Sequence, residues 1–504
     1  MSPTLLAFDL GTSGLKASVF DAATGVLVAS ATEPYPTVYG IDGRAEQDPE
    51  DWWRAVGLAC RAISDGNFNL LLSVACLGCT GMMNGLVAVD RHGNAIRSAI
   101  IHADVRSAVF SEQLECTLGR EAIFEVLSNR MDCHLTVPKV MWLKENEPEV
   151  LKLANKIVQA KDFLTGRLTG RVGVTDPSDA SLTGAFNVAK NVWETRLWEA
   201  AGLETRLLPD VLPSVSILGR VSEHAATFCG LTAGTPVVVG GGDGPCATAG
   251  SGTLANSGYI YIGGTAWAGM QADAPCSDSR LSNYRSLEDG VTVFGTVQAF
   301  GSSSEWIRSL YSEIAPVTFD RCEELASVTP PGAAGLFFLP YLQGERAPLW
   351  DANARGVFFG LAPHHRAGHL YRAVSEGVCY AMTQILDTFS ANGFVLPTVR
   401  VLGAASESTY WSQLLANVTG KKLERVADSG SATALGAAMA ASVGIKYHAS
   451  IATAGTAMTR VAAEVRPDAR LAIHYAAQYG FFESLYHSMR EDFNRLAALS
   501  RTGE

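Results

Sequence analysis

One local arrangement occurs twice in this chain, and it restricts the fold more than any other feature. Val237-Val-Val-Gly-Gly-Gly-Asp243-Gly244 is an apolar β-branched run followed by three glycines and a single carboxylate. Such a run reads as a buried strand. Glycines after a strand let a ligand approach the backbone without interference from a Cβ. A carboxylate there is placed to accept a proton from a substrate hydroxyl. Leu5-Leu-Ala-Phe-Asp9-Leu-Gly11-Thr12-Ser13-Gly14-Leu-Lys16 repeats the theme, with a lysine added. Two such sites, far apart in the chain, predict two halves that meet at a cleft.

A length of 504 residues is too great for one ordinary core, so two large domains are expected. A hydrophobic fraction of 47% with 18% charged residues fits a soluble, well-packed enzyme. The net charge of -11 argues against non-specific nucleic-acid binding. It leaves nucleotides open, because local amides and Mg²⁺ hold phosphate inside acidic proteins. There is no basic leader before the strand at Leu5 and no apolar run of membrane-spanning length, so a cytoplasmic enzyme without membrane contact is expected. Ten scattered cysteines read as buried thiols. Cys76-x-x-Cys79 falls in a strand-like run, where residues three apart face opposite sides, which does not suit chelation.

Residues 4–32 read as three strands, Leu5–Leu10, Leu15–Phe20 and Val26–Ala31, joined by tight turns. Asp48-Pro-Glu-Asp-Trp opens a helix with Asp48 as its cap. Leu70–Leu77 and Leu86–Asp90 are expected as strands around a small-residue turn over Gly78–Gly85. Residues 104–170 look mainly helical, and Ser178–Phe186 reads as a loop or short strand. Beyond Asp243 the order of elements partly begins again. Tyr259-Ile-Tyr-Ile runs into Gly263-Gly264-Thr265, and Val291–Val297 is a following strand. Val399-Arg-Val-Leu runs into Gly403-Ala404-Ala405-Ser406. Tyr410–Thr419 is a helix, and Ala432–Val443 is a small-residue helix suited to close packing on a sheet.

The turn Asp9–Lys16 reads either as a phosphate nest of consecutive amides or as an ordinary hairpin turn, and the leading acid with Lys16 favours phosphate. Gly242-x-Gly244-x-x-Ala247 spells a dinucleotide fingerprint. However, the next strand ends in Ile262-Gly-Gly-Thr rather than an acid, which speaks against that fold. No P-loop, no Gly-x-Ser-x-Gly elbow and no histidine spacing suited to metal or triad chemistry is present.

Taken together these segments resemble the FGGY carbohydrate kinases of the sugar-kinase, actin and Hsp70 superfamily over nearly the whole chain. The resemblance rests on the Asp9 turn, Glu46-Gln-Asp-Pro-Glu-Asp-Trp-Trp, Gly81-Met-Met-Asn-Gly85, Lys161-Asp-Phe-Leu-Thr-Gly and Gly240-Gly-Gly-Asp243. It is completed by Pro340-Tyr-Leu-Gln-Gly-Glu345-Arg-Ala-Pro and Ala354-Arg-Gly-Val-Phe-Phe-Gly360-Leu. The xylulokinases are the most similar members, with gluconokinase-like character around Gly344–Leu361.

The resemblance implies two ribonuclease-H-like α/β domains flanking a deep cleft. Residues 1–246 would be an N-terminal sugar-binding domain and 247–504 a C-terminal ATP-binding domain. It implies ATP and Mg²⁺ as co-substrate and cofactor, and a small sugar as partner, with a homodimer as a possible assembly. Asp243 is implied as the catalytic base and Asp9 as the acid near the transferred phosphate and its Mg²⁺, which it would hold through water. Met83, Asn84, Asp104, Asp243 and Gly244 are implied to line the sugar pocket. Gly11, Thr12, Ser13, Lys16, Gly264, Thr265, Gly301, Gly403, Ala404 and Ser408 are implied to contact the nucleotide. The chain departs from the xylulokinase pattern at Asn84 and His102, where histidine and tryptophan are usual. It departs again at Gly403–Glu407, where Gly-Gly-Gly-Ala-Arg is usual. The expected reaction is phosphorylation of D-xylulose to D-xylulose 5-phosphate. The alternatives are gluconate, another ketose or a polyol as acceptor, and a non-catalytic sugar or nucleotide sensor.

Overall fold

The computed structural model describes residues 2–253 and 257–501. The chain divides into two compact units: 1–255, 271–293 and 431–459 form the first, and 256–270, 294–430 and 460–504 the second.

The first unit is built on strands β1 (Thr4–Leu10), β2 (Gly14–Asp21), β3 (Leu27–Pro34), β4 (Val74–Gly81), β5 (Pro236–Val238) and β6 (Gly241–Gly242). They lie in the order β5-β4-β1-β2-β3, with β6 also paired to β4. β2 is antiparallel to both β1 and β3, whereas β4 runs parallel to β1, β5 and β6. The unbroken apolar run of β1 follows from burial on both faces. Leu6, Phe8 and Leu10 pack with Trp52, Val56 and Cys79 on one side. Leu5 and Ala7 pack with Cys76 and the helix Ala432–Gly444 on the other. Cys76 and Cys79 thus face opposite cores, as their spacing predicts.

The helix Ala432–Gly444 is rich in alanine because it lies almost against backbone. A Cβ on Gly78 of β4 would stand 2.1 Å from the Ala437 carbonyl oxygen. One on Gly436 would stand 1.9 Å from that of Cys246, in the helix Asp243–Gly250. No side chain fits at either contact.

The second sheet, most of which lies in the second unit, carries β7 (Gly258–Ile262), β8 (Ala266–Ala272), β9 (Val291–Val297), β10 (Thr398–Leu402), β11 (Lys422–Val426) and β12 (Val461–Val465). Their order is β9-β8-β7-β10-β11-β12. β7 is antiparallel to β8 and parallel to β10, and β10 is parallel to β11. The first five strands repeat the first unit's order (third, second, first, fourth, fifth), which is the ribonuclease-H-like arrangement. The helix Ala367–Ala391 supplies the centre of this unit's packing, with Tyr371 and Val374 against Phe338 and Ile307.

Two local expectations are corrected. Residues 68–72 are helical rather than part of a strand, and the strand begins at Val74 and runs through Gly81. A short apolar run such as Leu70-Leu-Leu carries no period that separates helix from strand. Within Ser178–Phe186, Pro177–Ser181 is a short helix capped by the Asp176 carboxylate. No helix among the described residues is long and apolar enough to cross a membrane.

Candidate active site

The acids come together through strand register. Asp9 stands opposite Thr80 in the β1–β4 pair, and Gly241 stands opposite the same Thr80 on β4's other edge. Asp243, one residue past β6, therefore emerges two strands from Asp9, about 10 Å away at ordinary sheet spacing. Both sit at the carboxyl ends of parallel strands, where open α/β sheets bind ligands. Both side chains are half-buried. Burial raises Asp9 to about 6, with Lys16 pulling the other way. Burial, reinforced by the Asp9 charge, raises Asp243 to about 7, while its bond from the Gly244 amide (2.8 Å) counteracts the rise. A carboxylate with its pKa near neutrality is poised for general-base work.

Lys16 faces Asp9 directly across the β1–β2 pair. In the connecting turn the Gly11 amide is spent on the Gly14 carbonyl (3.1 Å). No acceptor among the described residues takes the exposed amides of Thr12 and Ser13. Tyr35 donates to the Gly11 carbonyl, and Gln47 donates to that of Thr12 at 2.7 Å, so the turn is held from behind. The turn thus sets two amides without a protein acceptor among the described residues close to Lys16.

The strand β4 delivers the next group. Met82 donates its amide to the Leu10 carbonyl (3.0 Å), and the Met83 side chain lies over Gly242, where an added Cβ would meet its sulfur at 2.5 Å. Asn84 is left-handed (φ 65°), and its Oδ1 is buried without a hydrogen-bond partner. Buried acceptors rarely remain so. Lys139 Nζ donates to the Asn84 carbonyl (2.6 Å) and to that of His134. Asp104 is fully buried and engaged by protein. It accepts from the amides of Ala45 (2.7 Å) and Arg106 (3.1 Å) and from the Arg106 guanidinium, which also reaches Glu46 (2.7 Å) and lies over the Trp142 ring. Its carboxylate is thus a hub for the loop around it. Met83 and Asn84 join the two acids, while Asp104 is tied to Ala45 and Arg106.

A second buried cluster gathers around Lys161, in the Lys161-Asp-Phe segment. Lys161 Nζ contacts Asp162 (2.5 Å), Asp176 (3.0 Å) and Asp179 (3.1 Å), all four side chains essentially inaccessible. Burial works against the Lys161 ammonium, but the three carboxylates outweigh it and hold its pKa well above the ordinary value. Burial also drives Asp179 well above the carboxylate range, against the pull of Lys161. The cluster reaches β6 through Ser178. The Gly242 amide donates to Ser178 Oγ (3.1 Å), which donates to Asp176 Oδ2 (2.5 Å). Three acids at positions 162, 176 and 179 have no common period, so only the fold unites them.

In the second unit Gly264, Thr265 and Gly301 meet at the end of β7. Gly301 donates to the Gly263 carbonyl (3.1 Å) and Ser302 to that of Gly264 (3.1 Å), as the helix Gly301–Ser312 begins. Parallel pairing of Tyr261 with Leu402 brings Gly403 alongside the same strand end. Ala404 is exposed beside it. Ser408 caps the helix Thr409–Thr419, accepting from the Trp411 amide and donating to Glu323 (2.8 Å), so its hydroxyl serves the fold.

Two ribonuclease-H-like sheets, both with glycine turns at strand ends and the first also with two acids there, fit a small-molecule phosphotransferase of the sugar-kinase type. Residues 4–250 match the N-terminal domain of the FGGY family of carbohydrate kinases, and residues 258–445 match its C-terminal domain. The chain belongs to that family, whose sugar kinases use ATP as co-substrate. It is 31% identical over 443 residues to the xylulose kinase of Escherichia coli K12, covering 87% of this chain and 89% of that protein. It is 27% identical over 430 residues to the gluconokinase of Bacillus subtilis 168, covering 83% of each. The crystal structure of xylulose kinase from Rhodospirillum rubrum superposes with a TM-score of 0.86 at 26% identity, covering 97% of this chain and all of that one.

Proposed function

We propose that this carbohydrate kinase transfers the γ-phosphoryl group of ATP to the terminal primary hydroxyl of D-xylulose, giving D-xylulose 5-phosphate. The observation that carries the reading is the Asp243–Asp9 pair at strand ends on either side of β4. One carboxylate has its pKa near 7, and the second lies beside a lysine and a turn with free amides. Asp243 accepts the sugar hydroxyl proton as the oxygen attacks. Phosphoryl transfer otherwise asks mainly for positioning and charge neutralisation. Lys16 and the amides of Thr12 and Ser13 supply these around the transferred group.

Asp9 suits Mg²⁺, since one hard carboxylate plus phosphate oxygens and water is the usual environment of that ion. When bound there, the ion neutralises phosphate charge. Asn84 Oδ1, a buried acceptor without a protein partner, is suited to receive a sugar hydroxyl. A neutral sugar is favoured over gluconate because the cations near this segment are already engaged. Lys139 is spent on two carbonyls, and Arg106 on Asp104 and Glu46. The use of ATP fits a cytoplasmic enzyme.

The test is ADP release measured across pentuloses, hexuloses, polyols and aldonic acids, with D-xylulose expected to give the highest kcat/KM. Asp243→Ala should abolish turnover and leave D-xylulose binding measurable by calorimetry. Turnover retained in that variant would overturn the assignment.

A further inference from the structure

The segment Asp132-Cys133-His134, just ahead of the helix Thr136–Asn146, gathers a carboxylate, a thiol and an imidazole whose donor atoms all lie within 4.8 Å of one another. His134 Nδ1 is 3.0 Å from Asp132 Oδ1 and 3.8 Å from Cys133 Sγ. A tetrahedral Zn²⁺ with ordinary bond lengths would set these separations at about 3.4 and 3.6 Å. Shifts of a few tenths of an ångström bring these two sides to the values of a coordination tetrahedron, and the third side, from Asp132 to Cys133, lies within 4.8 Å.

The backbone beneath the triangle is fixed at each residue. The His134 amide donates to Asp132 Oδ1 (2.7 Å), Ser107 Oγ donates to the Cys133 carbonyl (3.1 Å), the Leu135 amide donates to the Asp132 carbonyl (3.2 Å), and Lys139 holds the His134 carbonyl. The turn made by Asp132 explains why the carboxylate and the imidazole adjoin. It does not require the thiol to face the same ring nitrogen. The side chains of Asp132 and His134 are 27% and 22% exposed, so a hydrated ion can reach them.

The geometry points to a binding site for a zinc-class divalent cation at Asp132, Cys133 and His134. One sulfur, one nitrogen and one oxygen donor suit a borderline-soft ion and not Mg²⁺ or Ca²⁺, which take all-oxygen sets. Three protein donors leave the fourth position to water or an exogenous ligand. In the bound state the thiol is a thiolate and Nδ1 offers its lone pair to the ion. The site is separate from the residues proposed for phosphoryl transfer and does not rest on the choice of sugar.

Co²⁺ titration of the full-length reduced protein tests this, because a thiolate ligand gives cobalt an intense near-ultraviolet charge-transfer band alongside tetrahedral visible bands. The wild type should take up a single equivalent with both signals, and Zn²⁺ should bleach them. Cys133→Ser should lose the charge-transfer band, and His134→Ala should weaken binding by roughly 100-fold or more. Cys116→Ser, at the exposed thiol, should retain every signal. Circular dichroism matched to the wild type shows that each variant is folded. Absence of the band in the wild type, or its persistence in folded Cys133→Ser, would overturn the site.

Discussion

A carboxylate serves as a base only after its own proton has left, and Asp243 loses that proton late. Its pKa stands near 7 through burial and the neighbouring Asp9 charge. kcat/KM should therefore climb with pH through the neutral range, with the apparent values belonging to the coupled pair. Neutralising the neighbour in Asp9→Asn removes the repulsive charge, so the rising limb of the residual activity should move to lower pH. A limb that stays in place would show that Asp9 does not act on Asp243. The same shift bears on stability. The folded state holds the Asp243 proton more tightly than the unfolded chain, whose group titrates near 3.8. Stability is therefore lost as pH rises from about 4 through 7. Asp243→Asn should be more stable than wild type at pH 8, by a few kcal/mol at most, and little changed at pH 4, as read from urea unfolding at both values. Both acids are legible in the sequence because the signal is local: an apolar β-branched run, a carboxylate, then glycine.

The elements behind the acids are less legible, and the reason is physical. Pro177–Ser181 looks like loop because five small and polar residues carry no helical period, yet Asp176 caps them into a turn of helix. That turn aims Ser178 at the Gly242 amide and at Asp176, inside the Lys161 cluster. Asp162 adjoins Lys161, but its other partners, Asp176 and Asp179, arrive more than ten residues further on, so no spacing announces them. Ser178→Ala leaves the Gly242 amide and one Asp176 lone pair unmatched, at about 1–3 kcal/mol. Because Gly242 immediately precedes Asp243, the expected kinetic signature is roughly a tenfold fall in kcat with the sugar KM nearly unchanged. Ser178→Thr, which keeps the hydroxyl, should recover most of it. Equal losses in kcat and in folding yield, unrelieved by threonine, would reduce Ser178 to a packing residue.

At the scale of the whole molecule, the two sheets repeat one strand order, but the chain does not simply complete one unit before beginning the next. Residues 431–459 belong with the first unit, and the helix Ala432–Gly444 covers the face of its sheet formed by Leu5, Ala7 and Cys76. The alanine-rich sequence shows that this helix packs closely; it does not show on which sheet, since glycine and alanine fit any flat apolar surface. A fragment of residues 1–255 would therefore expose an apolar sheet face that the full chain buries. Covering the Leu5, Ala7, Cys76 and Cys246 side chains depends on the distant segment, and losing buried apolar groups of this kind costs about 1.5–3 kcal/mol for each large side chain. The fragment should be aggregated or molten, with bound hydrophobic dye and no cooperative melt. Joining residues 431–459 to its end through a flexible linker should restore a cooperative transition. A cooperative melt for residues 1–255 alone would mean that the sheet is stable with that face bare, and that the close contacts at Gly78 and Gly436 serve something other than the folding of this unit.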